Sequence, residues 1–244
     1  MTRARMAVVL ALLSAPVLAE EPKAESGGGG QMTSVLSGKS MGSGALVHAQ
    51  IGFPGLSVAL LTGGGPLDIG ARFSLLYAYE GITVLTRIPG IKLQGVVRMQ
   101  LLDRGKLNLG LSFSPGLFFY FFPGDTEIGL PLPVNLVLGY AVSPKLMAHL
   151  GVDLPIFAVF GPLGGLAIPV LVGGGLEYAV DRQLALTLSL RVGPSVPLTG
   201  NGLAYTYWPG YWCYDLAGNP YRCGPYYSFG APAMEGLFGI TYRL

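Results

Sequence analysis

Few side chains in these 244 residues have the types and spacing that catalysis or metal binding requires. The chain holds two histidines, His48 and His149, and two cysteines, Cys213 and Cys223. If residues 146–157 form a strand, His149 and Asp153 share one face about 13 Å apart. That is too far for the direct hydrogen bond by which a carboxylate orients an imidazole base. His149 is therefore expected to be a hydrogen-bonding interior residue rather than a base. No cluster of His, Cys, Asp and Glu has the spacing of metal ligands, so neither a metal nor a cofactor is expected. Gly38-Lys39-Ser40 imitates the end of a phosphate-binding loop, but position 33 is Thr33 where the motif needs glycine, and no strand precedes it. On this inventory the chain is expected to be non-enzymatic.

The elements that must carry these residues are set by composition and period. Hydrophobic residues make up 51% and charged residues only 11%, against about 25% in ordinary soluble domains. The apolar content excludes disorder, and the 38 glycines follow no Gly-X-Y period, which excludes collagen. Residues alternate with period two, so successive side chains point to opposite faces of a sheet. Leu184, Leu186, Leu188, Leu190 and Val192 alternate with Ala185, Thr187, Ser189 and Arg191. The even positions of 128–140, from Ile128 to Tyr140, are likewise apolar beside Gly129, Pro131, Pro133, Asn135 and Gly139. A sheet with one oily face and one small or polar face fits a transmembrane barrel, oily outward and polar inward.

The rival folds fail on the same residues. Residues 154–176 carry no charge and are long enough for a spanning helix, but they include Pro155, Pro162, Pro169 and six glycines. Each proline costs a helix interior about 3 kcal/mol and each glycine about 1. A soluble sandwich needs polar outer faces, for which the charged residues are too few. The fold expected is an all-β, antiparallel, up-and-down transmembrane barrel.

The N-terminal part stands apart. Arg3 and Arg5, the apolar run Met6–Leu13 and the small residues Val17 and Ala19 have the form of a secretory signal, 1–19, cleaved after Ala19. Residues 20–43 are rich in Gly and Ser and are expected to be a flexible leader, which assigns 44–244 to the barrel. Without Arg3 and Arg5 the 15 basic residues become 13, equal to the 13 acidic ones. A neutral chain without a basic patch gives no footprint for nucleic acid.

Short polar turns at Asp103–Lys106, Ser143–Lys145 and Asp181–Gln183 set the strand count. They give strands near 45–60, 67–79, 82–88, 91–102, 106–121, 127–140, 146–157, 165–178, 184–195 and 229–244. Alternatively Pro54-Gly55 is a hairpin, because the apolar parity flips there, and 82–90 is then a loop. Both versions have ten strands, and an eight-stranded barrel that leaves 45–60 outside the sheet is the remaining alternative. Outward Tyr77, Tyr140, Tyr178 and Tyr242 are expected to form an aromatic girdle where strands leave the bilayer. Pro54, Pro115, Pro131, Pro155, Pro169, Pro194 and Pro232 are expected to mark its outer edge, where broken pairing is tolerated.

On this register the inward charges are Asp68, Arg72, Lys92, Arg98, Asp153, Glu177, Arg191, Glu235 and Arg243. Arg72, Asp153 and Arg191 fall at similar mid-barrel height, with Glu235 beside Arg191. This cluster is either a structural salt-bridge plug or a constriction that selects solutes. Inward glycines (Gly110, Gly129, Gly139, Gly151, Gly173, Gly193, Gly239) remove volume and are expected to admit a water path. The longest loop, 196–228, crowds Tyr207, Trp208, Tyr211, Trp212 and Tyr214 around Cys213 and Cys223, which in an exported chain are expected to pair. Those aromatics form either a binding surface or a lid over the barrel mouth.

At the C-terminus Phe238, Ile240, Tyr242 and Leu244 alternate with Gly239, Thr241 and Arg243. This resembles the last strand of bacterial outer-membrane β-barrel proteins, although these end on an aromatic and this chain ends on Leu244. The resemblance implies a location in the outer membrane of a Gram-negative bacterium, with outer-membrane lipids as solvent and the barrel-assembly machinery engaging the last strand. Hydrolases of such barrels use an acidic pair with a His near the outer mouth, or Ser and His together on the lipid side. No Asp-x-Asp occurs here. The expected role is structural or narrow-channel, in a monomer. Surface binding through loop 196–228 is the alternative, and a lipid-modifying enzyme ranks third.

Overall fold

Period-two alternation produces strands throughout the computed structural model, which describes residues 36–78, 87–122, 125–160, 165–197, 212–214, 220–222 and 232–244. In chain order these are β1 Gly42–Phe53, β2 Gly55–Gly65, β3 Leu67–Ala78, β4 Arg87–Arg104, β5 Leu107–Phe113, β6 Gly116–Phe122 and β7 Asp125–Ala141. They continue as β8 Leu146–Phe160, β9 Gly165–Pro169, β10 Leu171–Ala179, β11 Leu184–Pro197, β12 Trp212–Tyr214, β13 Pro220–Arg222 and β14 Pro232–Arg243. Every barrel pairing is antiparallel. β5 with β6, and β9 with β10, are each one wall strand interrupted by a break, so the wall has ten strands. The last strand closes it: β14 pairs with β11 and with β1, from Leu46↔Arg243 to Phe53↔Gly236.

The parity flip at Pro54-Gly55 is a hairpin, with Ile51 facing Leu56 across the turn. The single strand 45–60 and the strand 82–88 are thereby replaced by β1 and β2 and by a connection between β3 and β4. As a result β3 runs the other way along the barrel. Tyr77 therefore lies at the opposite end from Tyr140, Tyr178 and Tyr242, and all four are about half exposed. The ends of β1 and β14 share one rim with the tight turns. There Gly65 and Gly105 take φ of 68° and 61°, a backbone conformation that side chains disfavour.

Burial confirms which face looks outward. Along β11, Leu188 is 55% and Leu190 57% exposed, while Ser189 is 4% and Arg191 7%. Exposure of every second large apolar side chain has no place in water, and it suits a wall surrounded by lipid.

The prolines share a belt, but it is a zone of broken pairing inside the wall. Pro115 sits between β5 and β6, and Pro169 ends β9. Ser114 donates to the Pro133 carbonyl and Val170 to the Pro194 carbonyl, so prolines of the neighbouring strands flank both breaks. On the β6–β8 flank the apolar exterior continues past this belt through Leu117, Phe121, Ile128 and Phe160. Pro131 and Pro155 stand within the β7–β8 ladder. Pro54 stands apart in the β1–β2 turn, but marking the bilayer edge is not what Pro115, Pro131, Pro155 and Pro169 do. They remove ladder donors where the wall changes partners.

The turn between β10 and β11 is held by Asp181, whose carboxylate accepts the backbone N–H of Gln183 (2.7 Å) and Leu184 (2.8 Å). These bonds hold its carboxyl below the usual carboxylate range. A pKa lowered by folding contributes stability above the unfolded value, and this is lost as pH falls through the folded value. Asp181→Ala is therefore expected to lower the urea midpoint at neutral pH and to have no effect once pH is below both values. A deficit of equal size in acid would show that the charge of Asp181 contributes nothing.

Candidate functional site

Three layers fill the lumen. Nearest the rim with the tight turns, residues 36–41 lie inside the barrel, although the sequence groups them with the polar leader. Leu36, Ser37, Gly38, Ser40 and Met41 are all buried. Small residues let the backbone lie flat on the wall, and Met41 joins Leu46, Ala59, Leu61 and Val96 in a compact apolar cluster. On its rim side Asp68 and Arg98, register partners across β3 and β4, form an ion pair out of contact with solvent. Arg98 Nε lies 2.8 Å from Asp68 Oδ2, and Nη2 donates to the same oxygen. The Asp68 carboxylate also accepts the Met41 N–H, at 3.3 Å.

The middle layer is the charged belt. Arg72, Asp153, Arg191 and Glu235 all line one cavity with a free volume of about 70 Å³, and Leu36 forms part of its boundary. Arg191 Nη1 is 2.9 Å from Asp153 Oδ2 and 3.4 Å from Glu235 Oε1. Glu235 is its register partner on β14, but Asp153 lies on β8, beyond β10. Arg191 crosses β10 over Gly173, where an added Cβ would stand 2.9 Å from Arg191 Cγ. The same device recurs: the Phe118 ring lies over Gly129 and the Asn108 amide over Gly139. The spaces left by the inward glycines are thus filled by neighbouring side chains, which corrects the expectation that they line a water path.

Several buried polar atoms of this belt have no protein partner, among them Gln50 Nε2, Gln94 Oε1 and Asn135 Oδ1. All three residues line the cavity. One inward charge is missing from the sequence inventory: Glu127 is 5% exposed, on the inward parity of β7 and paired in register with Tyr120 above the belt. Its parity with Gly129 and Pro131 was the available signal, masked by its position at the mouth of an acidic turn. Glu127 brings the inward charges to five acidic and five basic. The upper layer is aromatic. Phe118 stacks edge-on to Phe157 at 6.5 Å and lies 5.3 Å from Tyr120.

The two histidines differ. His48 Nδ1 is 2.7 Å from Thr241 Oγ1, its register partner. His149 was expected to be hydrogen-bonded, yet neither of its ring nitrogens has a partner. Its register neighbours on both sides, Gly139 and Gly175, offer no side chain. It shares a small pocket with Ser189, Arg191 and Leu36. Among the described residues no group of three His, Cys, Asp or Glu could hold a metal ion. Of the loop candidates, Tyr207, Trp208, Tyr211 and Cys223 lie outside the described residues. Trp212, Cys213 and Tyr214 form β12, which pairs with β13 in a separate two-stranded sheet.

A closed ten-stranded wall, apolar outside and polar inside, defines the class: an outer-membrane type of β-barrel. No family model matches the chain, and no curated protein matches it. Among solved structures it resembles OmpT (in-vitro folded), an outer membrane protein of Vibrio cholerae. The identity is 14%, over 83% of this chain and 61% of that one, with a TM-score of 0.36. The outer-membrane expressed OmpT of the same organism is 14% identical, over 83% and 62%, with a TM-score of 0.37. The trimer form gives 14%, 81%, 60% and 0.34. The chain thus spans about three-fifths of the length of these structures, and the barrel fold rests on the pairing that closes the wall rather than on so distant a likeness. The expectation of a non-enzymatic chain is withdrawn. A chain whose solved neighbours are OmpT proteins is not labelled non-enzymatic from a poor motif inventory. The fold also places His149 and Ser189, 40 positions apart in sequence, in one pocket, a proximity that no spacing rule could detect.

Proposed function

We propose that this protein is a narrow channel for small polar solutes across the outer membrane of a Gram-negative bacterium. The supporting observation is the charged belt. Arg72, Asp153, Arg191 and Glu235 surround a cavity with room for a few water molecules inside a lipid-facing wall. A ring of opposed charges at a constriction discriminates permeating ions by sign and size. Eight strands leave a lumen just filled by side chains, whereas wide porins have 16–18. Ten strands therefore suit ions and very small solutes only. In this reading residues 1–19 are removed on export, the last strand is delivered by the assembly machinery, and one chain suffices.

Planar-bilayer recording tests it. The full chain is expected to give discrete openings of small amplitude. Arg191→Gln removes one positive charge and leaves Asp153 and Glu235 in place, so the reversal potential in a salt gradient should shift toward cation preference. Absence of openings, both in the full chain and after removal of residues 36–40, would overturn the channel reading.

A second reading uses the loop. β12 and β13 pair with each other and with no barrel strand, which favours an independent aromatic module carrying Tyr207, Trp208, Tyr211, Trp212 and Tyr214 and stapled by a Cys213–Cys223 disulfide. Its function would be surface binding of a glycan or protein partner. Binding by intact cells that survives deletion of residues 203–227 would eliminate it.

A further inference from the structure

One register row orders the inward side chains around His149. Asn108 of β5, Gly139 of β7, His149 of β8, Gly175 of β10 and Ser189 of β11 are successive partners across the ladders. Polar and glycine positions alternate along it, so the imidazole stands between two gaps where no side chain rises from the wall. The Asn108 amide closes the gap over Gly139. The gap over Gly175 is different. An added Cβ there would stand 3.2 Å from Ser189 Cβ and 3.3 Å from His149 Cδ2, so serine and ring face each other across bare backbone. That ring edge is the one next to Nε2, because Cδ2 is bonded to it.

Both side chains are shut away from bulk solvent, His149 at 8% and Ser189 at 4% exposure. Neither imidazole nitrogen has a protein partner, and nor does the Ser189 hydroxyl. A buried polar group left in that way bears its full desolvation cost. Polar atoms in this state on both sides of one notch point to a bridging molecule.

Size and charge identify its class. The pocket that His149 and Ser189 share has a free volume of about 10 Å³, which is room for one water molecule and nothing larger. Among the described residues no carboxylate lines it, and the cation on its wall, Arg191, is already paired with Asp153 and Glu235. Neither a cation nor an anion therefore finds a counter-charge. An imidazole in its neutral form offers one donor and one acceptor, and a hydroxyl offers both. Water complements that pair.

We propose that His149 and Ser189 bind one bridging water molecule on the rim side of the charged belt. Counted from the rim ends of β8 and β11, both residues come before Asp153 and Arg191. The pocket shares Leu36 and Arg191 with the belt cavity, so this water adjoins the space assigned to permeating solutes. The site goes beyond the channel reading and does not depend on it.

Solid-state NMR of the full chain in lipid bilayers, with isotope-labelled histidine, tests this by transferring magnetisation from water to the imidazoles. His149→Phe removes one of the two histidine signals and so assigns them. A water cross-peak at His149 is expected in the full chain and its loss in Ser189→Ala. There the water would keep one side-chain partner, fewer than the two to four that a buried water needs. Each variant is first verified as folded by heat-modifiable gel migration, and if Ser189→Ala does not fold the full chain decides alone. No cross-peak at His149, or one of equal strength in Ser189→Ala, would overturn the site and leave the channel reading to planar-bilayer recording. A cross-peak in a chain that gives no openings, with or without residues 36–40, would support the site and overturn the channel reading.

Discussion

Arg98→Met is expected to cost about 3–5 kcal/mol, because it leaves Asp68 as a buried carboxylate without its counter-charge. The side chains of this pair are 2% and 0% exposed, so water cannot replace the lost guanidinium. The remaining donor to Asp68, the Met41 N–H at 3.3 Å, is a neutral amide at long range and cannot offset a full charge. The readout is the urea concentration at which half the protein loses its compact, unheated gel mobility, since both tryptophans lie in the long loop. The double variant Asp68→Leu with Arg98→Met separates the ion pair from the space it fills. Replacing a buried pair by apolar groups of similar volume is often neutral or stabilising, so the double variant should recover most of the loss. A single variant as stable as the parent, or a double variant no better than the single one, would show that Asp68 is not a buried anion. The exposed Lys39–Asp103 pair provides the contrast: Lys39→Ala should cost no more than about 1 kcal/mol, as its partners are 32% and 37% exposed.

The wall was legible in the sequence because lipid imposes period two on every strand. Leu184 to Val192 point outward and Ala185 to Arg191 inward by a pattern that needs no partner strand to be seen. Even the hairpin at Pro54 left a trace, since a turn of that length reverses the parity of the residues that follow. The direction of β3, and with it the position of Tyr77, could not be decided while one long strand and two short ones fitted equally well. The contacts that cross strands were hidden for a different reason. Arg191 meets Asp153 only because Gly173 lies between them, and that choice depends on the register of β10 against both neighbours.

The lumen contents were the least legible. Residues 36–41 contain three glycine or serine residues and two large apolar ones, and in an isolated sequence such a run beside a Gly/Ser-rich leader reads as a flexible linker. Inside a narrow barrel the same smallness is what lets a chain lie between opposing walls. The belt illustrates the reverse limit. Its charges could be assigned to the lumen one by one, and Arg72, Asp153, Arg191 and Glu235 do border one cavity. Parity says nothing about occupancy, however, and the glycine-lined lanes that seemed open are filled by Phe118, Asn108 and Arg191.

Leu188→Arg is expected to destabilise the barrel by about 2–4 kcal/mol, the cost of a cation on the lipid face near the bilayer midplane. Leu188 is 55% exposed to the outside and lies four residues from the β11 end at Leu184. At about 3.3 Å per residue and a tilt of roughly 40°, this places it about 10 Å above that rim, near the middle of an apolar band of about 25 Å. Leu184→Arg, on the same face but at the rim, should cost only about 0–1 kcal/mol, since its guanidinium reaches the headgroups. The comparison isolates depth, because strand, face and chemistry are held constant. It is measured as the difference in urea midpoints in a lipid bilayer, and should be repeated in detergent micelles, whose thinner and more pliable apolar layer compresses the difference. If both arginines cost the same in lipid, the exposed apolar face of β11 does not sit at graded depth in a membrane, and the outward leucines need another environment. A cost confined to Leu188, and shrinking in micelles, is what a barrel solvated by hydrocarbon requires.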